Sequence, residues 1–226
     1  MKKLNKKNII KYCTISGCLL STSFCEAFHW SDLDLASINL NTVDVNAQDD
    51  WDETVLHYAA KEGNLPAIRV LLSRGAKVND GTFGRGTPLH GAALCGQVEA
   101  MQALLEGNAE VNARDRYYYT PLHSAVSSGE TEALRELAHW DADINAKDHR
   151  KQTPLHFAAE RNKLGCVMEL LKYNTINVNA MDCDSRTPLD VAGTPEIQNL
   201  LRDNGAKTGN AIRRERAQQG AGGFWY

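Results

Sequence analysis

Thr87-Pro88-Leu89-His90-Gly91-Ala92-Ala93 decides the fold, because the chain writes this phrase in four near-copies and once more in altered form. The copies open Thr54-Val55-Leu56-His57, Thr87-Pro88-Leu89-His90, Thr120-Pro121-Leu122-His123, Thr153-Pro154-Leu155-His156 and Thr187-Pro188-Leu189-Asp190, with threonines 33, 33, 33 and 34 residues apart. Self-similarity at a fixed period of this length marks a repeat array and outranks any local reading of secondary structure.

The phrase reads as a helix start. A threonine hydroxyl can accept from the free N–H groups of a first turn, and proline fits the first helical position, where its missing N–H costs nothing. Ala59-Ala60, Ala92-Ala93, Ala125-Val126 and Ala158-Ala159 follow, small enough for neighbouring helices to approach closely. Gly63, Gly96, Gly129 and Asn162 then supply left-handed stop positions. A second helix is predicted from apolar positions three and four apart: Leu65, Ile68, Leu71 and Leu72; Val98, Met101, Leu104 and Leu105; Leu134 and Leu137. A second set of left-handed positions is expected at Gly75, Asn108, Asp141 and Asn174, before Val78-Asn79, Val111-Asn112-Ala113, Ile144-Asn145-Ala146 and Val178-Asn179-Ala180.

Helix, turn, helix and projecting β-turn, with Thr-Pro-Leu-His-x-Ala at period 33, resembles the ankyrin repeat. The resemblance implies an all-α solenoid of helix-turn-helix units with β-turn fingers, about five repeats with degenerate caps. Residues 49–209 divide as 49–81, 82–114, 115–147, 148–181 and 182–209. Residues 28–48 read as a degenerate N-terminal half-repeat, in which Asp44-Val45-Asn46-Ala47 matches a repeat exit, and Phe28 and Trp30 are expected to pack on the first repeat. One side of a terminal repeat must meet water, so it departs from the consensus. The fifth copy is short, with Pro195 and Asp190 at odds with the pattern, and reads as the C-terminal cap. The extra residue of the fourth lies within residues 173–177, in a loop that tolerates insertion. Residues 210–226 read as a flexible tail ending in Phe224-Trp225-Tyr226, either a frayed helix whose aromatics fold back on the last repeat or a docking or secretion motif.

The first 27 residues have another character. Lys2, Lys3, Lys6, Lys7 and Lys11 precede an uncharged stretch, Tyr12 to Phe24, and Cys25-Glu26-Ala27 offers small residues to a peptidase. This reads as a secretory signal peptide of bacterial type, too short and polar for a membrane span. A basic leader on a cytosolic protein is the alternative. Ile15-Ser16-Gly17-Cys18 resembles a lipobox, but too little chain separates it from Lys11 for an apolar stretch. Removing five lysines and Glu26 takes the formal charge from −3 to −7. Acidity argues against nucleic acid and anionic membrane as partners. Cys95, Cys166 and Cys183 remain, an odd set without pairing pattern, and Cys166 is expected in the core.

His57, His90, His123 and His156 invite a metal or acid–base reading. Packed helices stand ~8–10 Å apart, whereas zinc ligands converge to ~2 Å of one ion, so histidines stacked one per repeat cannot share a metal. The resemblance implies instead that each imidazole bonds backbone near a β-turn. No nucleophile–histidine–acid set, HExxH, phosphate loop or dinucleotide fingerprint is present, and Gly81 to Gly86 lacks the spacing of the last. Neither catalysis, a metal nor a cofactor is expected.

What differs between copies carries more information. In ankyrin-repeat proteins the finger tips and first-helix ends line a concave surface that contacts partners. Here those tips carry Trp51, Phe83, Arg116, Tyr117, Tyr119, His149, Arg150 and Arg186, and the helix ends include Lys61, Glu62, Leu94, Cys95, Ser127, Ser128, Glu160 and Arg161. Tight turns favour Gly, Asn or Asp, while Trp, Tyr and Arg dominate interface hot spots. The expectation is a groove, aromatic in its N-terminal half and basic in its C-terminal half, that binds a protein segment with apolar and acidic features. Tyrosines that stack on each other to stiffen the fingers are the alternative. Two functions follow: an exported, monomeric protein-binding module, periplasmic or secreted, or an accessory that stabilises or inhibits an enzyme in the same compartment.

Overall fold

The computed structural model describes residues 44–82, 84 and 86–221. The leader, Phe28 and Trp30, Phe83 and the terminal aromatic triplet lie outside the described residues. Each repeat folds into a helix pair: α1 (Val55–Lys61) and α2 (Leu65–Ser73), α3 (Pro88–Leu94) and α4 (Val98–Glu106), α5 (Pro121–Ser128) and α6 (Thr131–His139), α7 (Pro154–Glu160) and α8 (Leu164–Leu170), α9 (Pro188–Val191) and α10 (Pro195–Asp203). A further helix, α11 (Gly209–Ala221), follows. Among the described residues extended pairing is confined to two isolated bridges at fingers, Gln48 with Thr54 and Thr82 with Gly86. The fold is an all-α solenoid.

The core is continuous because each repeat contributes the same side chains to it. Leu56, Leu89, Leu122 and Leu155 of the first helices are fully buried, as are Ile68, Met101, Leu134 and Val167 of the second. Ala59, Ala92, Ala125 and Ala158 are likewise buried, so the first helices stack closely. Cys166 lies in the core as expected; Cys95 and Cys183 are exposed, and all three thiols are free.

Turns follow the left-handed residues in the sequence. Gly63, Gly96, Gly129 and Asn162 all take positive φ, as do Gly75, Asn108 and Asp141. Asn174 does not take the left-handed form expected of it. Helix α8 ends at Leu170, and the extra residue of this repeat is taken up by a turn in which Ile176 N–H donates to Tyr173 O at 2.9 Å.

Threonine and histidine act together at each helix start. The Thr54 N–H donates to His57 Nδ1 at 3.1 Å, and the same bond recurs at Thr87–His90, Thr120–His123 and Thr153–His156. Histidine thus takes the N3 place of a capping box usually filled by Glu or Gln. With Nδ1 accepting, Nε2 carries the proton and donates to the following repeat: His57 to Gly86 O at 3.3 Å, His90 to Tyr119 O at 3.0 Å, His123 to Gln152 O at 3.3 Å and His156 to Arg186 O at 3.1 Å. Burial holds these rings neutral, pushing His57 and His123 down to about 4 and lowering His90 and His156.

A second ladder runs through asparagine. Asn79 Nδ2 donates to Asn108 O at 3.1 Å and its Oδ1 accepts from Glu110 N at 2.8 Å. Asn46, Asn112, Asn145 and Asn179 make the equivalent pair of bonds to the next repeat. Residues 210–221, expected as part of a flexible tail, are helical. Thr208 caps α11 by accepting from Ala211 N at 3.3 Å, Lys207 pairs with Glu215 at 2.8 Å, and the Ala, Arg, Gln and Glu residues favour helix.

Candidate functional site

The fingers are built on an aspartate that the sequence pattern carries at 49, 115, 148 and 182. Asp115 Oδ1 accepts the N–H groups of Tyr117 at 2.7 Å and Tyr119 at 2.9 Å, while Asp115 N–H donates to Tyr119 O at 3.0 Å. Asp49, Asp148 and Asp182 do the same for residues two and four further on. The second finger has Thr82 at this place and closes through Thr82 N–H to Gly86 O at 3.0 Å. This scaffold was legible as an aspartate at the repeat period, although the sequence reading above attached no role to it.

Successive fingers are joined. His149 N–H donates to Tyr117 O at 3.0 Å, and Cys183 N–H donates to Arg150 O at 2.9 Å. The third, fourth and fifth fingers are therefore linked edge to edge, and the third-finger tyrosines keep a fixed place beside His149.

Trp51 and Tyr117 are exposed, at 37% and 41%. Tyr117 packs between Arg116, whose guanidinium lies 4.9 Å from the ring centre, and the rings of Tyr119 and His149 at 5.8 and 5.7 Å. Its orientation is fixed before any partner arrives. Tyr119 belongs to the fold as much as to the surface: it is half-buried, stacks 5.9 Å from His123 and meets Phe157 edge-on at 5.2 Å. The stacked-tyrosine alternative thus describes Tyr119, while Tyr117 keeps an open face. Burial raises the Tyr119 hydroxyl above its ordinary range.

The floor of the same face is formed by the first helices. Leu94 is exposed at 47%, and Ser127 and Ser128 at the equivalent helix end of the next repeat are half-buried. Lys61 pairs with buried Glu53 and lies 5.0 Å from the Tyr58 ring centre. Arg161 covers the Phe157 ring at 5.3 Å and donates to Ser127 Oγ.

The expected basic half is largely neutralised. Arg150 pairs with Asp184 at 3.1 Å, and Arg186 reaches Asp182 at 2.8 Å and Asp184 at 3.2 Å. Arg150 ties the fourth finger to the fifth, whereas Arg186 pairs within the fifth. His149 Nδ1 lies 3.1 Å from Tyr117 O and 3.8 Å from Asp148 Oδ2. Among the described residues no cluster of His, Cys, Asp or Glu could hold a metal ion, and no helix is long and apolar enough to cross a membrane.

A family model for ankyrin repeats in three copies matches residues 24–115, 85–148 and 122–211. A search of curated proteins finds no match to the chain.

Proposed function

This chain belongs to the ankyrin-repeat family, whose repeats are generally protein–protein interaction modules, and we propose that it captures a protein partner through its finger and first-helix face without chemistry of its own. The observation that carries this reading is the exposure of large apolar side chains at two finger tips and a first-helix end, Trp51, Tyr117 and Leu94. Large side chains fixed in place lose little entropy on binding and suit a hot spot. The Arg116 guanidinium lies against the Tyr117 ring. Tyr119 and His149 pack against Tyr117, while Arg150 and Arg186 are engaged by Asp182 and Asp184.

The test is a photo-crosslinking amino acid placed at 117 in the producing cell, with mass spectrometry of the adduct. A partner trapped from 117, lost in the Trp51→Ala/Leu94→Ala variant, and absent when the crosslinker stands at Met168 on the second-helix side is the expected result. Equal trapping from both positions would remove the assignment of the face.

We also read residues 1–27 as an export leader, from five lysines followed by an uncharged stretch and a small-residue end. The partner is then a protein of the envelope, the exterior or a host.

A further inference from the structure

We propose that the outer edge of the third and fourth fingers, formed by Arg114, Tyr118, Lys147 and Lys151, recognises a carboxylate-rich segment of the partner protein. The inference rests on the protein-binding reading above and adds the chemistry of the partner.

Charge commitment is the first support. On fingers three to five no carboxylate forms an ion pair with Arg114, Lys147 or Lys151. Asp115 and Asp148 each hold two backbone N–H groups, Asp182 does so and also holds Arg186, and Asp184 holds both Arg150 and Arg186. Arg114, Lys147 and Lys151 are exposed and make no ion pair among the described residues. A chain of formal charge −3 thus presents three exposed, unpaired cations here. Arg114 and Lys147 occupy the same register position on adjacent fingers, as do Tyr118 and Lys151, so the edge is continuous. The backbone bond from His149 to Tyr117 holds the two fingers together.

Backbone conformation is the second. Tyr118 and Lys151 sit at φ of 62° and 59°, a left-handed form that suits Gly, Asn or Asp. Neither side chain contributes to the core: Tyr118 is exposed at 52% and touches Arg114, whose guanidinium lies 5.6 Å from its ring centre. A bulky residue held at a strained place, facing water, makes sense when its side chain acts on something outside the fold. The Tyr118 ring lies against the Arg114 guanidinium, a group whose planar fork suits bidentate contact with a carboxylate.

The experiment is selection from a random dodecapeptide display library against the full chain, followed by anisotropy titration of the selected peptide, fluorescein-labelled. An acidic consensus supports the proposal if affinity falls about tenfold or more in Arg114→Glu/Lys147→Glu/Lys151→Glu, with melting unchanged. Tyr118→Gly and Lys151→Gly add a readout that a structural role would not give: affinity falls while the melting temperature holds or rises. Arg135→Ala, on the second-helix side where Arg135 pairs with Glu169 at 3.0 Å, should do the reverse, lowering melting and sparing affinity. A neutral or basic consensus, or affinity indifferent to the charge reversal, overturns the inference and leaves the protein-binding reading standing. A library that yields nothing overturns both.

Discussion

Asp190 Oδ2 lies 2.6 Å from the backbone nitrogen of Gly209. Four preceding repeats place histidine there and give a proton to the following carbonyl; Asp190 instead accepts one. It holds Thr187 N–H at 2.9 Å and lies 3.0 Å from the Thr187 hydroxyl, so the capping box survives the exchange. Gly209 allows the approach, because a Cβ there would stand 2.0 Å from Ser185 O.

Asp190→Ala should therefore loosen α11 before it loosens the repeats. The expected loss is about 1–2 kcal/mol, with faster amide exchange over residues 209–221 and little change over α1 to α8. Uniform exchange across the chain would count against a local role.

Acid should weaken the array in a defined window. His57 and His123 titrate near 4 in the folded chain, and His90 and His156 are also lowered, against about 6.5 when unfolded. The unfolded chain binds these protons first, so stability is complete above 6.5 and falls as pH drops toward 4. Each strongly lowered ring withdraws on the order of 2–3 kcal/mol at the bottom of the window. Glu169, held down by Arg135 and Lys172, follows at lower pH. Urea midpoints that stay level from pH 7 to 4.5 would show that the rings are not held neutral.

Asp49 and Asp148 give an internal control. The Tyr58 hydroxyl donates to Asp49 Oδ2 at 3.2 Å, whereas the fourth repeat has Phe157 at the Tyr58 position, and the buried Asp148 Oδ2 has no hydrogen-bond partner among the described residues. Phe157→Tyr should raise stability and Tyr58→Phe lower it, each by about 1 kcal/mol. Thermal melts of the two variants check the opposite signs.

Asn145 makes two bonds of 2.8 Å to the repeat that follows. Asn145→Ala should cost about 1–2 kcal/mol and reduce the urea m-value as the last repeats begin to unfold separately. A parallel shift with m unchanged would mean that coupling lies elsewhere.

Edman sequencing of the protein recovered from its own host should begin at Phe28, the residue after the expected cut. An intact Met1 in the cytoplasm would make the leader a basic arm and redirect the partner search.

Periodic features were legible before any coordinates. Helix pairs and left-handed stops follow from residues recurring at one place in each copy, and the bonds from His57, His90, His123 and His156 to backbone are those the resemblance implies. Asn174 departs from expectation because the insertion shifts its register, whereas a helix over residues 210–221 agrees with one of the two readings of the tail. The surface was harder to read. Arg150 and Asp184 are 34 residues apart, so nothing local marks the pair that removes Arg150 from the basic edge. Tyr117 and Tyr119 look alike in sequence, yet one is open and the other packs on Phe157 from the next repeat.

The histidine and asparagine ladders fasten each unit to its immediate successor and to nothing further away. Such a chain can gain or lose a whole unit in its middle without orphaning a bond, since the flanking units carry matching halves of every fastening. Its end is different: Asp190 is cut to fit Gly209 and would reject a carbonyl where histidine welcomes one. Gene duplication can therefore lengthen this protein from within, while its terminus stays a fixed stop.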